Sequence, residues 1–261
     1  MDKGQARRGD EGIRPGDQRT GPDEQRELSF LALGDSYTIG EGVDCRDSFP
    51  FQTVNMLRAA GHRFSDPVVL ARTGWTTGEL IKALEGATSG KAAPDAGPFH
   101  PPFGFVSLLI GVNNEYRGQS LRQFDREFRS LLESAIRLAG NRPGRTFVVS
   151  IPDWSVTPFA AIHLPDALGR DRQTISREID EFNQVAARHA AACAVDFIDI
   201  TSHSRKAGYR SGDSGDDSQY SDSRSESSWF ASDGLHPSGR QYRHWAEQLA
   251  ARIGAQLAGG K

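Results

Sequence analysis

Leu28-Ser29-Phe30-Leu31-Ala32-Leu33 runs directly into Gly34-Asp35-Ser36-Tyr37, and the reading of that junction decides the fold. A short apolar run closed by a glycine reads as a buried strand. Ser36 then stands at the carboxyl end of a strand, where open α/β sheets place their ligands. The stretch that follows, Ser48 to Gly61, looks helical, with Phe49, Val54, Leu57 and Ala60 as its apolar residues. Two phosphate-binding readings fail here. No Gly-Lys-Ser/Thr closes the loop, and no Gly-x-Gly-x-x-Gly opens the helix. The Gly-x-Ser-x-Gly elbow of α/β-hydrolases is also missing. Taken alone, Gly-Asp-Ser reads equally well as a turn without chemistry.

Outward from this junction, strands and helices alternate. Val68 to Ala71 reads as a strand, the region near Thr77 to Leu84 as a helix, and Phe105 to Ile110 as a strand. In the helix from Leu121 to Ala139 the apolar residues Leu121, Phe124, Phe128, Leu131, Leu132, Ala135 and Leu138 recur with helical period. Ser120 and Gln123 can box its start, and Gly140 ends it. Thr146 to Ile151 is a fourth strand, Ile175 to Ala192 a helix, and Val195 to Ile200 a fifth strand. Ser238 to Leu257 closes the domain as a helix with Tyr242, Trp245, Leu249 and Ile253 inward. This alternation predicts a parallel sheet with helices on both faces.

Three further blocks carry chemistry. The most informative is Asp233-Gly234-Leu235-His236-Pro237. A serine hydroxyl is a poor nucleophile at neutral pH; it needs an imidazole to take its proton and a carboxylate to fix the imidazole's tautomer. In a helical turn, residues three apart share a face, so one segment can deliver an Asp-His pair to the distant Ser36. The plain alternative is a helix start, with Asp233 as its cap and His236 on the surface. The second block is Arg72-Thr73-Gly74-Trp75-Thr76-Thr77, in which Thr76 and Glu79 are spaced as a capping box. Gly74 therefore precedes a helix start, where backbone N–H groups suit a developing oxyanion, although such a glycine is commonly just a turn. In the third block, Gly111-Val112-Asn113-Asn114-Glu115, the Asn113 amide can cap or turn, and can also donate to an oxyanion.

Ser36, Gly74, Asn113 and His236, in this order and each just after a strand or before a helix, resemble the SGNH hydrolase family, also called the GDSL esterases and lipases. The likeness spans roughly Leu28 to Leu257. It implies a flavodoxin-like three-layer α/β/α sandwich with a central parallel sheet of about five strands. It implies Ser36 as nucleophile, His236 as base and Asp233 as the carboxylate that orients it. The oxyanion hole it implies combines the Ser36 and Gly74 backbone N–H groups with the Asn113 side chain. Two positions depart from the family pattern: Tyr37 replaces the leucine of Gly-Asp-Ser-Leu, and Asn114 replaces the aspartate after the oxyanion asparagine. Neither carries the chemistry, so the departures bear on loop packing and substrate preference. The reaction expected is acyl-ester hydrolysis of a small-molecule ester without metal or cofactor. Carbohydrate O-deacetylation is the alternative, with thioesterase or lysophospholipase activity behind it; a binding module of the same fold is the reading from another class. Tyr37, Trp75, Tyr116 and Trp154 are the candidate substrate-binding residues, because their rings stand beside the blocks.

The composition suits one domain: 261 residues, 37% hydrophobic and 25% charged, with a formal net charge of −3. Without a basic excess or a clustered Lys/Arg stripe, nucleic acid is not the expected partner. No run approaches the length of a membrane span, and Met1 to Arg8 lacks the apolar stretch of a secretory signal, so cytoplasmic residence is expected. Residues 1 to 27 read as a disordered tail. So does the insertion Tyr209 to Ser228, with its eight serines and four aspartates, whose acidic spacing fits no EF-hand. Pro152 to Pro165 is too apolar for a plain surface loop and is read either as cover for an acyl pocket, with Trp154 and Phe159 as wall, or as core packing. Cys45 and Cys193 are read as free thiols, and His62, His100 and His244 as surface or packing residues.

Overall fold

A computed structural model describes residues 27–90, 99–167, 169–212 and 228–259, which include every residue of the four blocks. Five parallel strands form its sheet, β1 (Phe30–Gly34), β2 (Val68–Ala71), β3 (Phe105–Leu109), β4 (Thr146–Val149) and β5 (Asp196–Ile198), in the order β2-β1-β3-β4-β5. The chain steps from β1 outward to β2 and then crosses back over β1 to β3. Because crossovers are right-handed, that reversal puts the first connecting helix and the later ones on opposite faces. On one face, α2 (Phe49–Ala59) packs against the last helix, α9 (Gly239–Gly259). On the other lie α3 (Thr77–Thr88), α5 (Leu121–Leu138) and α7 (Arg172–Ala192). The result is the flavodoxin-like three-layer sandwich. Its strand order reverses between β1 and β3, and such a switch point is where sheets of this type leave a crevice for ligands.

The register levels the three strand ends that matter. Gly34 pairs with Ala71 on one side and with Leu109 on the other, so the segments after β1, β2 and β3 leave the sheet at one height. Each begins at once. After β1 comes α1 (Ser36–Ile39), after β2 the Gly74 loop, and after β3 comes α4 (Val112–Tyr116). Gly34 makes the first of these turns possible: a Cβ there would sit 2.0 Å from Thr38 Oγ1 and 2.4 Å from the Leu109 carbonyl.

One open reading is decided, toward core packing for Trp154, and two expectations are corrected. The apolar stretch after β4 is a 3-10 turn (Trp154–Val156) followed by α6 (Pro158–Ala167), with Trp154 inside the core. The Ser/Asp-rich segment does not start at Tyr209, because α8 (Thr201–Gly212) continues through its first four residues; residues 213–227, like 1–26, lie outside the described residues. Asp233 and His236 lie in a turn rather than a helix. Both cysteines are free thiols, and His244 packs in α9 against the rings of His203 and Trp229. Among the described residues no helix is long and apolar enough to cross a membrane.

Candidate active site

Asp35 follows β1 and is the N-cap of α1. Its Oδ1 accepts the Tyr37 N–H at 3.0 Å, capping the helix and setting Ser36 as the first helical residue. Ser36 is 5% exposed and its Oγ lies 3.0 Å from His236 Nε2. The imidazole's other nitrogen, Nδ1, is 2.5 Å from Asp233 Oδ2. With the Nδ1 proton directed at that carboxylate, Nε2 is left as the acceptor for the serine hydroxyl.

The turn that presents this pair is built by Asp233 itself. Its Oδ1 accepts the N–H groups of Leu235 and His236, each at 2.9 Å, so a single carboxylate shapes the backbone and holds the ring. Burial would raise its pKa. The hydrogen bonds from the His236 ring, the His236 backbone and the Leu235 backbone outweigh that and hold it at about 2. The turn is braced from outside by α6, whose Phe159 N–H donates to the Gly234 carbonyl at 2.9 Å. Tyr37, 3% exposed, backs the imidazole with ring centroids 5.0 Å apart.

The Gly74 loop and α4 meet beside Ser36. Gly74 has φ of +80°, a conformation that favours glycine. The Asn113 amide donates to the Trp75 carbonyl at 3.0 Å and lies 3.5 Å from Asp35 Oδ2. Asn114 uses both ends of its amide: Oδ1 accepts the Thr77 N–H at 3.1 Å, and Nδ2 donates to Thr77 Oγ1 and to Gln119 Oε1. An aspartate could accept there but not donate. The structure therefore brings Ser36, His236 and Asp233 into one line, with Gly74 and Asn113 on the neighbouring segments of the same crevice.

The four candidate aromatic residues divide. Trp75 is half-buried on the Gly74 loop and Tyr116 is 42% exposed. Tyr37 and Trp154 are enclosed by protein. Trp154 is 2% exposed, turns its indole N–H to Glu115 Oε2 at 2.7 Å, and meets Tyr116 edge to face. Glu115 is itself buried and paired with Arg170 at 2.6 Å; burial pushes its carboxyl up, against the pull of the indole N–H and the guanidinium. Asp35, Glu115 and Arg117 were not singled out from sequence. Asp35 carried a usable sign, an aspartate at a helix start, and Arg117 stands one helical turn after Asn113.

Asp35 is fully buried, and burial raises its carboxyl from the usual 3.8 to about 7, against the Tyr37 N–H and the nearby imidazole. The folded chain thus keeps a proton that the unfolded chain releases. Stability from this group is complete below about pH 4 and is lost as pH rises through about 7. Thermal melts between those limits are expected to show the decline in wild type and a flatter profile in Asp35→Asn, whose side-chain oxygen can still cap α1. Equal slopes would mean that Asp35 keeps an ordinary affinity for its proton.

At the strand-order switch point Ser36, His236 and Asp233 stand in hydrogen-bond contact. The family model for the GDSL-like lipase/acylhydrolase family matches residues 32–244, and the chain belongs to that family. The fold is shared with solved structures of low identity. The psychrotrophic esterase EstA from Pseudoalteromonas is 14% identical with a TM-score of 0.54, over 89% of this chain and 100% of that one. The lipase/acylhydrolase from Enterococcus faecalis is 19% identical with a TM-score of 0.54, over 88% and 96%. A variant of Axe2, an acetyl xylan esterase from Geobacillus stearothermophilus, is 16% identical with a TM-score of 0.56, over 87% and 94%. No curated protein sequence matches the chain.

Proposed function

We propose that this chain is a serine esterase. Ser36 attacks the ester carbonyl while His236 takes its proton and passes it to the departing alcohol. Water, activated by the same imidazole, then releases the acid from the acyl-enzyme. The observation that carries the reading is the continuous line from Ser36 Oγ through both nitrogens of His236 to Asp233, at 3.0 and 2.5 Å. Family membership supports the same reaction class. No step in the scheme uses a metal or a cofactor.

The oxyanion is assigned to the Ser36 and Gly74 N–H groups and to Asn113 Nδ2. One amide hydrogen of Asn113 is engaged by the Trp75 carbonyl. Its other contact, to Asp35 Oδ2 at 3.5 Å, is long, and the hydrogen on that side can turn to a charge that develops only as the carbonyl becomes tetrahedral. Such a donor acts on the transition state more than on bound substrate, so Asn113→Ala is expected to lower kcat by roughly 10²–10³ with KM nearly unchanged. Steady-state kinetics decide it: a raised KM with normal kcat would make Asn113 a ground-state binding residue.

Trp75 directly follows Gly74 and Tyr116 lies three residues beyond Asn113; bulky, partly buried rings beside the proposed donors leave little room for a long chain, which favours a short acyl group. Acetylated carbohydrate is the second reading within this class, with identical chemistry at the serine. The test is labelling of wild type by a fluorophosphonate probe, together with turnover of p-nitrophenyl acetate, butyrate, octanoate and palmitate beside acetylated xylan. Failure to label or to turn over any ester would leave a binding module. A steady rise toward octanoate would overturn the short-acyl reading alone.

A further inference from the structure

Two of the three proposed oxyanion donors, the Gly74 N–H and the Asn113 amide, come from segments that the sheet does not connect directly, the Gly74 loop and α4. Their relative placement must be fixed by side chains. Asn113 and Arg117, one helical turn apart, take the two successive carbonyls of the loop: Asn113 Nδ2 donates to Trp75 O at 3.0 Å, and Arg117 Nη2 donates to Gly74 O at 2.6 Å. Arg117 Nη1 also reaches Glu79 Oε2 at 3.3 Å, and that same carboxylate oxygen accepts the Thr76 N–H at 2.8 Å. One guanidinium thus spans the loop from Gly74 to the first turn of α3. It lies so close over Gly74 that a Cβ there would stand 3.3 Å from Nη2.

This arrangement contributes position more than stability. Both side chains of the Arg117–Glu79 pair are nearly half exposed, and an ion pair in such surroundings is worth little. A charge-assisted donor to a backbone carbonyl is stronger and directional. It acts on a glycine with φ of +80°, the residue type least able to hold its own dihedral angles.

We propose that Arg117 is a positioning residue of the site, holding the Gly74–Trp75 peptide against α4 so that the Gly74 N–H and the Asn113 amide converge on one point. The inference rests on the esterase reading for its kinetic consequence but not for the tie itself. An error of about 1 Å in the placement of a reacting group can cost about a hundredfold in rate. Arg117→Ala is therefore expected to lower kcat on p-nitrophenyl acetate about 10- to 100-fold with KM nearly unchanged. Arg117→Lys, which offers a single point donor in place of the fork, is expected to fall between.

Two measurements on the full chain separate the possibilities. Amide hydrogen exchange across Gly74 to Thr76 should speed up in Arg117→Ala while exchange in β1 does not change, a local loosening readable without any turnover. If exchange in the loop is unchanged, the tie does not exist and the proposal falls. If it rises while kcat stays within twofold, or if KM rises instead of kcat falling, Arg117 does not position the oxyanion donors and the proposal is overturned. Wild type inactive on every ester would refute the esterase reading instead, with the exchange result still deciding the tie.

Discussion

Replacing Ser36 with alanine is expected to lower kcat on p-nitrophenyl acetate by about 10⁴-fold or more while the chain stays folded. Among the described residues the hydroxyl is hydrogen-bonded to the imidazole 3.0 Å away, and removing it opens little space because a serine side chain is small. The catalytic loss is large because the proposed acyl-enzyme forms on the Ser36 hydroxyl itself. His236→Ala should lose a similar factor, since an unassisted serine hydroxyl at neutral pH is almost inert. The double mutant should lose little more than either single one, because the two side chains act as a unit. Preparations free of wild-type carry-over are essential, as one contaminating molecule in 10⁴ would mask a loss of this size. Activity of the purified Ser36→Ala chain comparable to wild type would remove Ser36 as the nucleophile. Additive losses in the double mutant would mean that the serine and histidine serve separate steps.

What the sequence made legible follows the period of the physics involved. Strands and long helices announce themselves through apolar spacing, and β2, α5 and α9 lie where Val68 to Ala71, Leu121 to Ala139 and Ser238 to Leu257 were read. The strands are shorter than their apolar runs, since Ile110, Ile151 and Ile200 stay buried after pairing has ended. Besides the short α1 and α4, two longer helices have no sequence signal, for opposite reasons. In α6 the prolines at 158 and 165 and a mostly apolar composition hide any amphipathic face; Pro158 is acceptable because it occupies the first helical position. In α8, Thr201 to Lys206 is almost wholly polar, and its burial is local. Arg205 ties the helix to Asp153 and Asp180, and Ser204 accepts the Asp153 N–H. The Asp233–His236 spacing suggested a shared helical face. The chain achieves the same juxtaposition with a turn, because two backbone N–H groups find their acceptor in the Asp233 side chain. The tie from Arg117 to Gly74 bridges 43 residues and leaves no trace in any local pattern.

Asp233→Asn is expected to be the most discriminating substitution, because it changes one atom's hydrogen-bond polarity and very little else. The asparagine oxygen can still accept the Leu235 and His236 N–H groups that shape the turn. In the position of Oδ2, now 2.5 Å from His236 Nδ1, stands an NH₂ group that can only donate. Nδ1 must then offer its lone pair, and the ring proton moves to Nε2, facing a serine hydroxyl 3.0 Å away that it can no longer deprotonate. The carboxylate that would have stabilised the imidazolium is gone as well; in wild type it is held at about 2 and so is ionised throughout the neutral range. On this argument kcat at neutral pH falls about 10⁴-fold with the melting temperature nearly unchanged. Asp233→Ala, which also deprives the turn of its acceptor, should lose a similar factor in rate and melt lower by comparison, since leaving two backbone donors without their partner costs about 1 kcal/mol or more. If Asp233→Asn instead loses less than tenfold while Asp233→Ala still melts lower, the carboxylate serves the turn alone, and the base at Ser36 takes its tautomer from some other group.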